Sequence, residues 1–201
     1  PRSAAAGSSP TRTPACCGSS PWRPASRLAV GRLEARKGYG MLLDAAARWA
    51  RTAGHEPPPL VAIAGEGAER AALERRIEAE QLPVLLLGRR DDIPDLLAAA
   101  DLVVLPSRWE ARPLIAQEAL HAGVPLVATA VGGTPELVGD AAVLVPYGDA
   151  PAFADAVTAL LADPARRTAL SVAGRAQAAT WPTEDDTVAQ VLSVYDELTR
   201  P

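Results

Sequence analysis

From Arg27 to the C terminus, short apolar runs alternate with longer stretches whose apolar residues recur at helical spacing. The runs are Leu28–Val30, Leu60–Ala64, Val84–Leu87, Leu102–Leu105, Leu126–Ala128 and Ala142–Val145. None alternates strictly between apolar and polar, so each predicts a strand buried on both faces. Between them, the pattern predicts helices over Met41–Thr52, Glu69–Glu80, Ile93–Ala100, Leu114–His121 and Thr134–Val138. Strand and helix repeated in this way imply right-handed crossovers and an α/β fold: a doubly wound, six-stranded parallel sheet of Rossmann-like type. After the sixth run the chain turns helical, over Ala152–Ala162, Ala165–Ala179 and Glu184–Leu198, with Asp163-Pro164 and Trp181-Pro182-Thr183 as stop-and-restart signals. The expectation is one domain over residues 27–201 that ends in C-terminal helices.

Residues 1–26 break this pattern. They are rich in Pro, Ser, Ala and Gly and carry too few large aliphatics to offset the entropy of ordering, so they are expected to be a disordered or foreign tail. Cys16 and Cys17 sit side by side in it, with neither a disulfide framework nor metal-ligand spacing, and read as incidental thiols. A cysteine-free body fits a reducing, cytoplasmic setting. The chain opens on Pro1 without a signal peptide and is expected to be a fragment of a longer product.

The composition, 48% hydrophobic and 22% charged, is that of a globular core. Net charge is -4, and residues 1–27 hold four arginines and no acid, so the body is more acidic than that figure suggests. An acidic body excludes nucleic acid as the main partner. The apolar runs are too short to span a bilayer.

In the commonest doubly wound order the ligand crevice opens between strands one and four. That rule nominates Gly31–Gly38 and Pro106–Pro113, the two most polar strand-exit loops. In the first, Arg32 and Lys37 stand near a helix N-terminus, where N–H groups and the dipole favour an anion such as a diphosphate. Two solvated surface cations would look the same in sequence. The second loop supplies Glu110 and, eight residues on, Glu118, with Pro113 placed to be the first helical residue. An ionised carboxylate accepts hydrogen bonds from ribose or sugar hydroxyls, but an isolated pair of glutamates is more often a dipole partner and a solvated helix residue. Gly65-Glu66-Gly67 and Gly132-Gly133 read first as tight turns. His55 reads as a solvated loop residue and His121 as a dipole partner at a helix C-terminus. Trp109 could wall a pocket, and Trp49 and Trp181 look like packing residues.

Taken in order, these pieces resemble the C-terminal domain of the retaining group 1 glycosyltransferases, which have the two-domain GT-B fold. They are Gly-Arg-Leu with Lys-Gly (31–38), Ala-Gly-Glu-Gly (64–67), Ala-Asp-Leu-Val-Val-Leu-Pro-Ser (100–107), Glu-x7-Glu (110–118) with Ala-Leu-His-Ala-Gly-Val-Pro (119–125), Ala-Thr-Ala-Val-Gly-Gly-Thr-Pro-Glu (128–136) and Val-Pro-Tyr-Gly-Asp (145–149). The resemblance implies that Arg32 and Lys37 hold the diphosphate of a nucleoside-diphosphate sugar, UDP- or GDP-linked. Glu110 would face the transferred hexose and Glu118 the ribose hydroxyls. Backbone amides around Leu114 and Ile115 would reach phosphate oxygens, Gly65 and Gly67 would belong to the donor site, and Gly88 and Arg89 would line the base site. The implied reaction is transfer with retention, Arg32, Lys37 and Glu110 serving catalysis and no metal or other cofactor taking part.

Two departures stand out. The family often has Glu-Gly-Phe-Gly-Leu where this chain has Glu110-Ala111-Arg112-Pro113-Leu114. The family's N-terminal, acceptor-binding domain is also absent, so the acceptor is unknown and any peripheral membrane contact would run through that missing half. The chain is therefore either a glycosyltransferase fragment, expected to be inactive alone, or a nucleotide-sugar-binding module that works with a separate acceptor-domain chain. A nicotinamide-binding domain would need Gly-x-Gly-x-x-Gly after the first strand, which Gly31-Arg32-Leu33-Glu34 lacks. A glycosidase would need its two carboxyls facing each other across a cleft.

Overall fold

The computed structural model describes residues 26–51 and 60–199. The expected tail, Cys16, Cys17, His55 and the last residue of the first expected helix, Thr52, lie outside the described residues; Ser26 is inside them.

Among the described residues, six parallel strands form one sheet in the order β3-β2-β1-β4-β5-β6. They are β1 (Arg27–Val30), β2 (Val61–Ala64), β3 (Val84–Gly88), β4 (Leu102–Leu105), β5 (Leu126–Thr129) and β6 (Val143–Val145), within a residue or two of the apolar runs. Burial on both faces explains why the runs do not alternate. Along β4, Leu102 and Val104 enter one core with Ala29, Val61, Ile63 and Val127. Val103 and Leu105 enter the other with Leu28, Leu126 and Ala128.

Helices cover each face. On the first lie α1 (Tyr39–Arg51), α2 (Arg70–Ala79) and α6 (Ala150–Ala162), which bring Leu42, Leu73 and Phe153 into that core. Trp49 is buried there, as expected, and its indole N–H donates to the Ala154 carbonyl at 3.1 Å. On the second face lie α3 (Ile93–Ala99), α4 (Leu114–Ala122), α5 (Thr134–Val138) and α7 (Pro164–Ala178), with Leu97, Ile115, Leu137 and Ala178 inward. Both α6 and α7 start earlier than the apolar spacing indicates. Asp149 and Asp163 cap them, accepting from Ala152 N–H at 2.8 Å and Arg166 N–H at 2.9 Å. Pro151 and Pro164 fit the first turn, where no N–H is needed. The last helix, α8 (Glu184–Thr199), leaves Val188, Val191, Leu192, Tyr195 and Leu198 exposed. Among the described residues no helix is long and apolar enough to cross a membrane.

At the N-terminal edge, Ser26 donates its N–H to the Asp101 carboxylate at 2.8 Å, tying the start of β1 to β4. Next to it the Arg27 guanidinium is buried, lying 4.3 Å over the Trp49 ring, and its Nε and Nη1 find no hydrogen-bond partner among the described residues. Burial pushes its pKa down to about 10, against the opposing pull of Asp101. The folded chain thus holds this proton less tightly than the unfolded chain. The charge therefore costs stability in full below about pH 10, and the cost fades only as the pH climbs toward the ordinary arginine value. An apolar side chain of similar volume is expected to be tolerated or favoured. Arg27→Met should hold or raise Tm in a thermal melt at pH 7. A fall of more than about 5 °C, roughly 1–2 kcal/mol for a domain this size, would mean that the cation over Trp49 is net stabilising.

Candidate functional site

Because β1 and β4 are neighbours while α1 and α4 lie on opposite faces, the chain leaves these two strands in opposite directions and a crevice opens between them. The β1 exit, Gly31–Gly38, contains a short 3-10 turn, Ala35–Lys37, which apolar spacing could not show. The β4 exit, Pro106–Pro113, touches it directly. Arg108 N–H donates to the Arg36 carbonyl at 2.8 Å, and Gly38, at φ 67°, comes so close that a Cβ there would lie 2.0 Å from the Pro106 carbonyl oxygen. The β5 exit closes from the other side. Gly133 N–H donates to the Glu110 carbonyl at 3.0 Å, and a Cβ on Gly132 (φ 52°) would stand 1.9 Å from that same oxygen. Gly132 and Gly133 therefore supply close backbone approach as well as a turn.

The loop that carries Glu110 is thus held from two sides, and the Glu110 side chain is only 6% exposed. Oε1 accepts from Lys37 Nζ at 2.5 Å and from Ser107 Oγ at 2.7 Å, while Oε2 lies 4.0 Å from Arg36 Nη1. Ser107 is itself anchored, its carbonyl accepting from Thr129 Oγ1 at 2.5 Å. Nearby, the Tyr39 phenol is pushed well above its ordinary pKa by burial and then by the Glu110 charge, so it stays neutral.

The expected site residues are distributed unevenly. A cleft of about 470 Å³ brings together Arg32, Lys37, Glu110, Leu114, Ile115 and Glu118, with Trp109 on its wall. Within it, Lys37 reaches inward to Glu110, whereas Arg32 stays at the rim, 76% exposed and paired with Glu34 at 2.8 Å. Arg36, Tyr39 and Ser107 complete the Glu110 surroundings and were not singled out by the sequence. Their only sign was membership of, or adjacency to, the two nominated loops. Glu118 lies on α4 with its side chain exposed, and Leu114 and Ile115 form the helix start, where the first N–H groups have no partner within the helix. Pro113 is not the first helical residue, as expected, but precedes it: its ψ of 116° is extended, and α4 begins at Leu114. With no N–H to satisfy, Pro113 loses nothing by standing outside the helix.

An adjoining cleft of about 290 Å³ shares Gly31, Arg32 and Ile93 with the first and adds Gly65 and Arg89. Gly65 and Gly67 pack against the β1 exit, where Cβ atoms would stand 1.9 Å from the Gly31 carbonyl and 2.4 Å from that of Leu33. Gly88 (φ 71°) accepts from Gly65 N–H at 2.8 Å, and Arg89 is exposed, 3.6 Å from Asp91. His121 occupies the last turn of α4, its Nδ1 3.0 Å from the Gln117 carbonyl and its ring tilted against Trp181 at 5.3 Å. Among the described residues, no group of three or more His, Cys, Asp and Glu is placed to hold a metal ion.

A doubly wound sheet with a polar crevice at the point where strand order reverses defines a Rossmann-like α/β domain. The chain belongs to the glycosyl transferases group 1, whose family model matches residues 23–177. The match thus begins a few residues before the body inferred from hydropathy. The alpha-D-kanosaminyltransferase of Streptomyces kanamyceticus is 38% identical over 146 residues, 70% of this chain and 37% of that protein. The solved structure of the sucrose-phosphate synthase (tll1590) from Thermosynechococcus elongatus matches 87% of this chain and 45% of its own at TM-score 0.77 and 30% identity. The Anabaena protein Alr3699/HepE, solved in complex with UDP and glucose, matches 89% of this chain and 49% of its own at TM-score 0.75 and 26% identity. The chain therefore spans about half or less of the length of these relatives, and it corresponds to their C-terminal GT-B domain.

The Lys37–Glu110 pair predicts a coupled stability effect. Lys37→Ala leaves a buried carboxylate without its main counter-ion and should cost on the order of 3 kcal/mol, a Tm fall of roughly 6–12 °C. Combining Lys37→Met with Glu110→Gln should recover most of it. A double mutant as unstable as Lys37→Ala would show that the charge pair is not what holds these loops.

Proposed function

We propose that this chain is the donor-binding half of a retaining glycosyltransferase that moves a hexose from a UDP- or GDP-linked sugar to an acceptor bound by a second domain. The observation that carries this reading is the convergence, in one cleft, of the β1 and β4 exits, Lys37 hydrogen-bonded to a buried Glu110 and the open N-terminal end of α4. The complex of Alr3699/HepE with UDP and glucose supports it. In this reading the diphosphate sits against Arg32, Lys37 and the Leu114 and Ile115 amides, and these cations stabilise the negative charge that builds on the departing diphosphate. Glu110, oriented by Lys37 and Ser107, faces the transferred sugar. Glu118 accepts from the ribose hydroxyls, and the base lies toward Gly65, Gly88 and Arg89. Charge is balanced by side chains, without a metal, and the setting is cytoplasmic.

The chain is expected to bind donor but to transfer sugar only when the acceptor-binding half is supplied, in the same polypeptide or as a separate chain. Calorimetry against UDP, GDP and ADP identifies the base. Arg32→Ala should weaken nucleoside-diphosphate binding about tenfold or more, since charge-assisted hydrogen bonds contribute about 1.5–3 kcal/mol each. Unchanged affinity would remove the diphosphate assignment. Glu118→Ala should reduce affinity for the ribonucleotide more than for its deoxy counterpart; equal losses contradict the ribose role.

A further inference from the structure

Beside the donor cleft lies a smaller cavity of about 280 Å³; Ala111 and Arg112 line both. Its other walls are Gly133, Glu136, Leu137, Gln177 and Trp181. None of these was assigned to the donor. One half-buried indole, one carboxylate and one guanidinium around a cavity this size suit a hydroxylated ring: an indole face packs against ring C–H groups, and a carboxylate accepts from hydroxyls.

The cation accounting of the two spaces is uneven. Four cations line the donor cleft, and three are committed: Lys37 to Glu110 at 2.5 Å, Arg32 to Glu34 at 2.8 Å and Arg36 to Glu34 at 3.0 Å. Among the described residues the fourth, Arg112, makes neither an ion pair nor a hydrogen bond, although Glu136 lines the same small cavity. Its backbone is nonetheless tightly placed. The Ala111 carbonyl packs against Gly133, where a Cβ would approach to 2.1 Å, and the buried Pro113 follows, restricting Arg112 itself to extended backbone. A guanidinium on a fixed stretch of backbone, exposed, uncommitted and lining both cavities, is available to pair with an anion.

We propose that the smaller cavity is a subsite for a hydroxylated ring carrying one anionic group, a carboxylate or a phosphate, with Arg112 as its counter-ion. The inference rests on the donor-cleft reading above and adds to it the charge of what lies beyond the diphosphate. The anion has two sources: the donor's own sugar, as a uronate, or an acceptor that reaches across from the second domain into this cavity, as a phosphate ester.

Calorimetry on the chain separates them. The ligands are UDP, UDP-glucose and UDP-glucuronate and, at saturating UDP, glucose and glucose 6-phosphate. At least one charged ligand should bind about tenfold more tightly than its neutral counterpart, the gain expected of a charge-assisted pair. Arg112→Gln should abolish the preference and Arg112→Lys should retain part of it. A preference for UDP-glucuronate puts the anion on the donor; a preference for glucose 6-phosphate puts it on the second substrate. The proposal is overturned if UDP binds and neither charged ligand is favoured, or if the preference survives Arg112→Gln. It is equally overturned if Arg112→Gln weakens UDP as much as the charged ligands, since Arg112 would then serve the diphosphate. Failure of UDP itself to bind removes the donor-cleft reading, and the subsite with it.

Discussion

The hydrogen bond from Lys37 to Glu110 joins two loops that leave adjacent strands in opposite directions, and the geometry of the cleft depends on it. A carboxylate this buried is stable only with its charge met, and the partner must arrive from a segment 73 residues away in the chain. Ser107 shares the same oxygen at 2.7 Å. The pair therefore consumes one oxygen of Glu110 and leaves the other turned toward Arg36. Around it, glycines at 38, 132 and 133 permit backbone approaches that any Cβ would block. Electrostatic demand and steric permission act on the same few residues.

This arrangement separates holding from recognition. Lys37 is spent largely on fixing Glu110, whereas Arg32 and Arg112 stand at the rim and mouth with much of their surface in water. Inner charges matched to one another give a preorganised floor, while of the outer charges Arg32 is paired with Glu34 at the surface and Arg112 is uncommitted. The helix start at Leu114 lines the same cleft, its first N–H groups without partners inside the helix.

Much of the fold was legible in the residues. Runs such as Leu102–Leu105, apolar on both sides, required a sheet covered on both faces, and the strand-helix alternation made that sheet parallel. The strand order, read as the commonest doubly wound arrangement, then nominated the two loops that meet. The family resemblance named Arg32, Lys37, Glu110 and Glu118, and all four line one cleft. Less legible were the 3-10 turn at Ala35–Lys37, the extended Pro113, the early starts of α6 and α7, and the contributions of Arg36, Tyr39 and Ser107. Each depends on a hydrogen bond, a cap or a close approach to another segment, which hydrophobic period does not record.

What the amino-acid sequence determined by itself was the architecture and family, because burial on two faces and turn chemistry are written in local residue type and spacing. The tertiary structure alone decided how the charges are shared. Arg32 and Lys37 are equivalent on paper, yet Lys37 is drawn inward to a buried carboxylate and Arg32 pairs at the rim with Glu34. Arg112, unremarkable in a loop, becomes the uncommitted cation between two cavities. The reason is physical: a charge acts through its distance to other charges and its exposure to water, and both are set only when distant segments pack.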